Sequence, residues 1–355
     1  MIIGRNQTTL NPCCFLQMSP ANNSTVSLIE EDPGVQQPWS SFVVYYSYLL
    51  YPLVLITATI GNGLVCLVTY RRYKKNTLKN YYVLLFNLAF SDIVFAWVTN
   101  LFDLPLNVTY DTWIYPEEMC SILYMIQNTA YYTSIFTLAV ISLVRFQGII
   151  YPFKRPLSNK QAVILSVLLW VVSGAVRVPE AYSYRVVDGS CTSTWSNTEK
   201  KLAVSLYTLF TFVVPFAITL ISYIYIGKHL NGRLVLENQK SNQRVISSNK
   251  KVIKMLVIGS SAFAACVIPL HVTIFLLIFE VVTPNKIFWD FFLICNGIAS
   301  VHCMVNPVCY TLSNSGFRKE VYEAITVCDT SQRRKRAKDS SLSTGISTMC
   351  KHTVV

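Results

Sequence analysis

The sequence predicts an all-α membrane protein, a seven-transmembrane helix bundle with a short amphipathic eighth helix. Three observations predict it. Only 14% of the 355 residues are charged while 52% are hydrophobic, whereas a water-soluble domain carries about 25% charge. Five stretches lack Asp, Glu, Lys and Arg altogether, each about 25 residues long, enough for a helix to cross a hydrocarbon core of about 30 Å. Basic residues also cluster in alternate connections between the apolar stretches.

The uncharged stretches run Val43–Tyr70, Met119–Val144, Leu202–Gly227, Met255–Phe279 and Phe291–Phe317. Two more complete the set of seven. Asn80–Leu106 is interrupted by Asp92 and Asp103, and Gln161–Val176 is short, closing at Arg177. Met1–Thr9 is polar and has no apolar core, so no cleavable signal is expected and the first span serves as its own insertion signal. Arg71, Arg72, Lys74, Lys75 and Lys79 follow span one. Lys154, Arg155 and Lys160 follow span three, and Lys228 to Lys254 flank the connection between spans five and six. Arg318, Lys319 and Arg333–Arg336 follow span seven. Seven alternating helices place all four groups on one side, which the positive-inside rule makes the cytoplasm. The net charge of +12 then divides into about −6 outside and about +19 inside. The basic balance is therefore a topology and anionic-lipid signal and implies no nucleic-acid partner, while the acidic outer face would attract cations.

These spans divide the chain into an extracellular tail (1–41), the bundle (42–313), a membrane-surface helix (314–328) and a disordered cytoplasmic tail (329–355). The first tail carries glycosylation triplets at Asn6, Asn22 and Asn23, and Asn107 adds another near the outer end of span two. After span seven, Phe317, Val321, Ala324 and Ile325 recur at helical spacing against Arg318, Lys319, Glu320 and Glu323, as in a helix lying on the membrane surface. Cys328 at its end is a palmitoylation candidate or an ordinary reduced cysteine. Of the eleven cysteines, Cys120 and Cys191 both face the oxidising side, and a disulfide between them is the natural pairing. The pairing of Cys13 and Cys14 stays open.

Polar residues inside the spans narrow the class, because burying them in lipid needs a reason. Gly61-Asn62 lies in span one, Asp92 in span two, Val144-Arg145-Phe146 at the end of span three, and Asn306-Pro307-Val-Cys-Tyr310 in span seven. Trp170, Pro215 and Pro269 lie in spans four, five and six. This set, in order and spacing, resembles the rhodopsin-like (class A) G-protein-coupled receptors across residues 42–328. The resemblance implies no enzyme and no cofactor, except a sodium ion as allosteric modulator held by Asp92 with Ser134 and Asn306. The alternative for Asp92 is a structural, hydrogen-bonded acid. The resemblance also implies a packed core of Ile135, Pro215 and Phe263 that rearranges on activation, and Tyr223 and Tyr310 meeting near Arg145. Pro215, Pro269 and Pro307 each remove a backbone hydrogen bond and kink their helices.

Two departures stand out. Where the family has Asp or Glu before the span-three arginine, this chain has Val144. Arg145 thereby loses a charge-assisted partner, and Asn249 in span six supplies no carboxylate in its place, so raised basal signalling is expected. The family's aromatic residue two before the span-six proline is Val267 here, which puts the rotamer-toggle role in doubt.

For the ligand, Gln127 stands where amine receptors carry an aspartate, and Ser300 where opsins carry a lysine. Gln127 there is similar to many neuropeptide receptors, including those for amidated peptides. The expected cavity is acidic at its rim and aromatic below. Asp103 and Glu180 lie near the top, with Phe102, Gln127, Tyr131, Tyr207, His271 and Asn296 lining it. Glu117, Glu118, Asp188, Glu280 and Asp290 form the rim, and Arg177 is spaced to pair with Glu180 and take it out of play. Rival readings are a receptor for an amine or lipid, a non-coupling decoy, and a transporter, which internal repeats would have favoured. Expected partners are a peptide ligand, a heterotrimeric G protein, and receptor kinases and arrestin at Ser340, Ser341, Ser343 and Thr344. The ending Thr353-Val354-Val355 resembles a PDZ-domain ligand.

Overall fold

The computed structural model of the chain describes residues 37–78, 80–236, 240–313, 317–323 and 326. The sequons at Asn6, Asn22 and Asn23, Cys328, the phosphorylation cluster, the C-terminal triplet and the side chain of Tyr310 lie outside the described residues.

The order is α1 (Ser41–Lys74), α2 (Asn80–Val108), α3 (Glu117–Ile150) and α4 (Asn159–Ser183), then β1 (Tyr184–Val187) and β2 (Ser190–Ser193). There follow α5 (Asn197–Tyr207), a π-helical turn (Thr208–Val213), α6 (Val214–Leu236), α7 (Lys240–Ile278), α8 (Lys286–Ser300) and α9 (His302–Ser313). Together they supply seven spans long and apolar enough to cross a bilayer, α5 to α6 making one and α8 with α9 another. Each of α1 to α3 packs on the next, α3 also packs on α4 and α6, and α7 to α9 close the ring onto α1. Residues 317–323 are helical. Phe317 and Val321 seat this segment on the inner core, and Arg72 Nε donates to Glu320 Oε2 at 2.8 Å.

Burial follows the membrane solvent. On α4 the buried residues are Ala162, Ser173, Arg177, Ala181 and Ser183, while Val163, Ile164, Val167, Leu168, Val171 and Val172 face outward. A helix with small and polar residues inside and aliphatic ones outside is stable only in lipid. Its start is fixed by a capping box of Ser158 and Gln161, and Ser196 with Glu199 does the same for α5.

Pro307, inside α9 of span seven, shows how the polar residues are satisfied. Pro307 has no N–H, so the carbonyl of Cys303 four residues back loses its helical donor. Asn62 of α1 replaces it, its Nδ2 donating to Cys303 O at 2.9 Å. The approach requires glycine next door, because a Cβ on Gly61 would lie 2.8 Å from Pro307 Cβ and Cγ.

Several expectations are corrected. Span four does not close at Arg177. The helix continues to Ser183, because Glu180 pairs with Arg177 one turn on and no unpaired charge forces an exit. Span seven is interrupted at Val301, between α8 and α9, ahead of the proline where a kink was expected. Asn107 is no glycan acceptor, being buried at 3% exposure. Its Nδ2 donates to Ser47 Oγ at 3.1 Å and to Tyr51 Oη at 3.3 Å. The β-hairpin was not foreseen. Asp188 (φ 50°) and Gly189 (φ 81°) form its two-residue turn, the positive-φ pair that suits tight hairpins. Cys120–Cys191 ties the hairpin to α3 as expected.

Gly61→Ala and Asn62→Leu should each lower stability by about 1–3 kcal/mol, one by overpacking and one by orphaning a buried carbonyl. Thermal denaturation of the detergent-purified protein measures this, and unchanged melting in both would contradict the account.

Candidate functional site

At the hairpin end, four helices converge on one carboxylate. Asp103 of α2 accepts from Gln127 Nε2 of α3 at 2.8 Å and from the Asn296 amide of α8. Gln127 Nε2 also reaches Thr99 Oγ1 at 3.1 Å, and Asn296 Nδ2 reaches Tyr51 Oη of α1 at 3.3 Å. Gln127 and Thr99 are buried and Asp103 is half-buried. A carboxylate held by neutral amides alone keeps acceptor capacity for a cation.

Across the bundle, Tyr131 Oη lies 3.4 Å from His271 Nε2 and Thr208 Oγ1 lies 3.5 Å from His271 Nδ1. The imidazole stacks on Phe212, centroids 4.8 Å apart. Thr208 and Phe212 belong to the π-helical turn, so its extra residue aims two side chains at His271. Phe102 stands with the hairpin and not with the His271 group. It packs beneath the hairpin with Cys120, Leu123 and Tyr124, edge-on to Trp113.

Arg177 organises a third group that the sequence reading named only in passing. Arg177 is 4% exposed; its guanidinium pairs with Glu180 at 2.6 Å and donates to the Tyr124 hydroxyl and to Asn128 Oδ1 at 3.1 Å. It lies over the rings of Tyr207 at 4.4 Å and Tyr132 at 5.0 Å. Glu180 is thus engaged with Arg177, as their spacing foretold, and so is Tyr207, which was expected only to line the cavity. Of the rim acids, Glu280 pairs with Lys201 at 3.1 Å and Asp290 Oδ1 accepts from Ser40 N at 2.7 Å.

Deeper in the bundle, Ser134 Oγ donates to Asp92 Oδ1 at 2.7 Å and Asn306 Nδ2 to Oδ2 at 3.1 Å. Asp92 is fully buried, and no ion pair among the described residues includes it. His302, also fully buried and overlooked in the sequence, lies one residue before Cys303. Its Nδ1 is 2.6 Å from Ala299 O, and its ring touches Phe95 (4.7 Å), Tyr131 (5.4 Å) and Phe263 (4.9 Å). It therefore connects the Tyr131 group to Phe263 where Val267, one turn along α7, has no ring to offer. Ile135, Pro215 and Phe263 do meet, lining one small cavity with Leu138, Phe212, Phe216, Thr219 and Ser260.

Toward the opposite end, Tyr223 is buried and bonded to Ser260. Arg145 has no carboxylate in salt-bridge range among the described residues. Its guanidinium carbon lies 3.7 Å from the centre of the Tyr81 ring.

A seven-span bundle with a disulfide-tethered hairpin at one end, a buried acid at mid-depth and an arginine at the other end defines a membrane receptor. The chain matches the 7 transmembrane receptor (rhodopsin family) over residues 61–310 and belongs to that family. It is 27% identical to Neuropeptide FF receptor 2 of Mus musculus, over 85% of this chain and 77% of that protein. It is 28% identical to Neuropeptide Y receptor type 4 of Rattus norvegicus over 90% and 88% of the two chains. It is also 28% identical to Galanin receptor 2b of Danio rerio over 76% and 72%. The likeness is thus to receptors for neuropeptides, as the sequence reading expected.

The Arg177–Glu180 pair generates a test. Arg177→Met should destabilise the purified protein by about 3–5 kcal/mol, whereas Arg177→Met with Glu180→Leu should recover most of the loss, because the cost lies in the stranded charge. Thermal melting of single and double variants decides, and an additive loss would refute it.

Proposed function

We propose that this protein is a cell-surface receptor, hairpin end outward, for a cationic neuropeptide with an amidated end, and that it couples to a heterotrimeric G protein. The observation that carries the reading is Asp103 held by Gln127 and Asn296. The carboxylate supplies an acceptor for a guanidinium or ammonium, and the two side-chain amides supply the donor and acceptor that a terminal carboxamide requires. The relatives with neuropeptide names and the acidic outer charge support it.

In this mechanism the peptide's cation draws Asp103 away from Gln127 and Asn296, and its amide takes those groups in exchange. The change reaches Tyr131 and His271 and passes through His302 to Phe263. Repacking of Ile135, Pro215 and Phe263 lets α7 swing about Pro269. That swing uncovers Arg145, Tyr223 and Tyr310 to the G protein. Asp92, Ser134 and Asn306 fit a sodium ion. They offer hard oxygen donors, and a buried carboxylate with only neutral donors leaves a charge to be balanced. When bound, the ion would neutralise Asp92 and favour the resting packing. The Ser/Thr cluster in the 329–355 tail serves receptor kinases and arrestin, the C-terminal triplet a PDZ domain, and Cys328 a palmitate.

G-protein dissociation in transfected cells, with and without a panel of amidated cationic peptides, tests the reading. A peptide-evoked signal should vanish in Arg145→Ala, and Asp103→Asn should lose at least about tenfold in potency. Silence across the panel with surface expression confirmed would turn the reading toward a non-peptide ligand, and absence of basal signal as well would favour a decoy. Separately, sodium chloride should raise the melting temperature of the purified protein more than choline chloride does, and Asp92→Asn should abolish the difference. Equal melting in both salts for the unmodified protein would exclude the ion.

A further inference from the structure

Arg145 lacks the acid that would restrain it, because Val144 precedes it in the chain. The structure shows a different neighbour. Tyr81, on the first turn of α2, lies under the guanidinium at 3.7 Å, where the negative face of an aromatic ring attracts a cation. Arg145 Nε is buried and has no hydrogen-bond partner among the described residues, so at that nitrogen the ring face is the neighbour that meets the guanidinium. Tyr81 is itself fixed. Asn80 Oδ1 accepts from Tyr81 N at 2.7 Å, and Asn80 Nδ2 donates to Leu157 O at 2.7 Å, pinning the start of α2 to the connection between α3 and α4. The ring packs edge-on against Tyr82, centroids 5.4 Å apart at 68°. Tyr82 in turn lies 4.1 Å beneath Arg72, and Arg72 is gripped at both its Nε and Nη2 by Glu320. Two arginines thus sit on two adjacent tyrosines, the second clamped by the helical segment 317–323.

We infer that Tyr81 is the positioning residue that holds Arg145 in the absence of an acid, and that Glu320 and Arg72 brace it through Tyr82. The inference rests on the G-protein reading for its consequence, though not for the contact itself. A ring-face attraction is weaker than a charge-assisted pair. Arg145 is therefore restrained, but less firmly than in a chain with Asp at 144. The brace also makes the juxtamembrane segment part of the restraint, so a partner that lifts Glu320 would loosen Arg145 without touching it.

The test has two arms on the full chain. Ligand-independent G-protein dissociation is read at matched surface expression. Tyr81→Leu should raise it roughly two- to fivefold, while Tyr81→Phe, which keeps the ring, should match the unmodified receptor. Glu320→Gln should raise it by a smaller factor, and Val144→Asp should bring the unmodified receptor and Tyr81→Leu down to one common level. A basal signal in Tyr81→Leu at or below that of the unmodified receptor, or a Tyr81→Phe variant behaving like Tyr81→Leu, would overturn the role of the ring. No change with Glu320→Gln would overturn the brace. The second arm needs no coupling. Melting temperatures of Tyr81→Leu, Arg145→Met and the double variant should be non-additive, and additive shifts would overturn the contact. Non-additive melting with every variant silent in cells would leave the hold standing and remove the coupling reading.

Discussion

The missing amide hydrogen of Pro307 is the constraint on which the rest of the bundle depends. Inside a bilayer no water can take over an abandoned carbonyl, so the donor has to come from another helix. Asn62 provides it, and the absence of a side chain at Gly61 lets α9 come close enough to receive it. This exchange fixes α9 against α1 and so decides where Asn306 stands. From there Asn306 reaches Asp92, which Ser134 of α3 also holds. One proline thereby joins four helices through four side chains, and the mid-depth acid is buried inside the arrangement that the proline requires.

The same rule organises the other buried polar groups. Asn87 donates to Thr137 at 2.7 Å and accepts from Trp170 Nε1 at 3.0 Å, locking α2, α3 and α4. Asn107 and Asn296 share the Tyr51 hydroxyl. Amide side chains recur because each offers both a donor and an acceptor on one short rigid group. Apolar contacts could not single out one helix arrangement in lipid, where tails and side chains are equally oily. The amides thus supply the specificity.

How far the sequence could be read follows from range. The spans were legible because length and charge exclusion are local properties, and the Cys120–Cys191 bond because the charge pattern puts both cysteines on the oxidising side. Asp92 with Ser134 and Asn306, and the Ile135, Pro215 and Phe263 cluster, were legible through resemblance. Features that depend on a partner from a distant stretch were not. Arg177 looked like the end of a span because a lone charge in an apolar run usually is one, and the ring of tyrosines that receives it comes from α3 and α5. Asn107 carried a valid sequon, but its burial against Ser47 and Tyr51 is invisible in the triplet. Two misses had local signals. Asp188-Gly189 between short β-branched runs marks a hairpin, and Tyr81-Tyr82 next to a basic stretch marks a ring-face site. The π-helical turn left no signal, since it is a matter of register and not of composition.

That turn has a consequence for how such a receptor can change. One residue more than an α-helix needs is stored between Thr208 and Val213, and each residue of helix corresponds to about 100° of rotation. The stretch above the turn and the stretch below it are therefore in different phases. Loss of a single codon there would revolve the upper stretch, and with it the face that carries Tyr207, while Pro215 and Tyr223 below kept their neighbours. The two ends of this span can thus be re-phased separately, the upper face turning while the packing below the turn keeps its register.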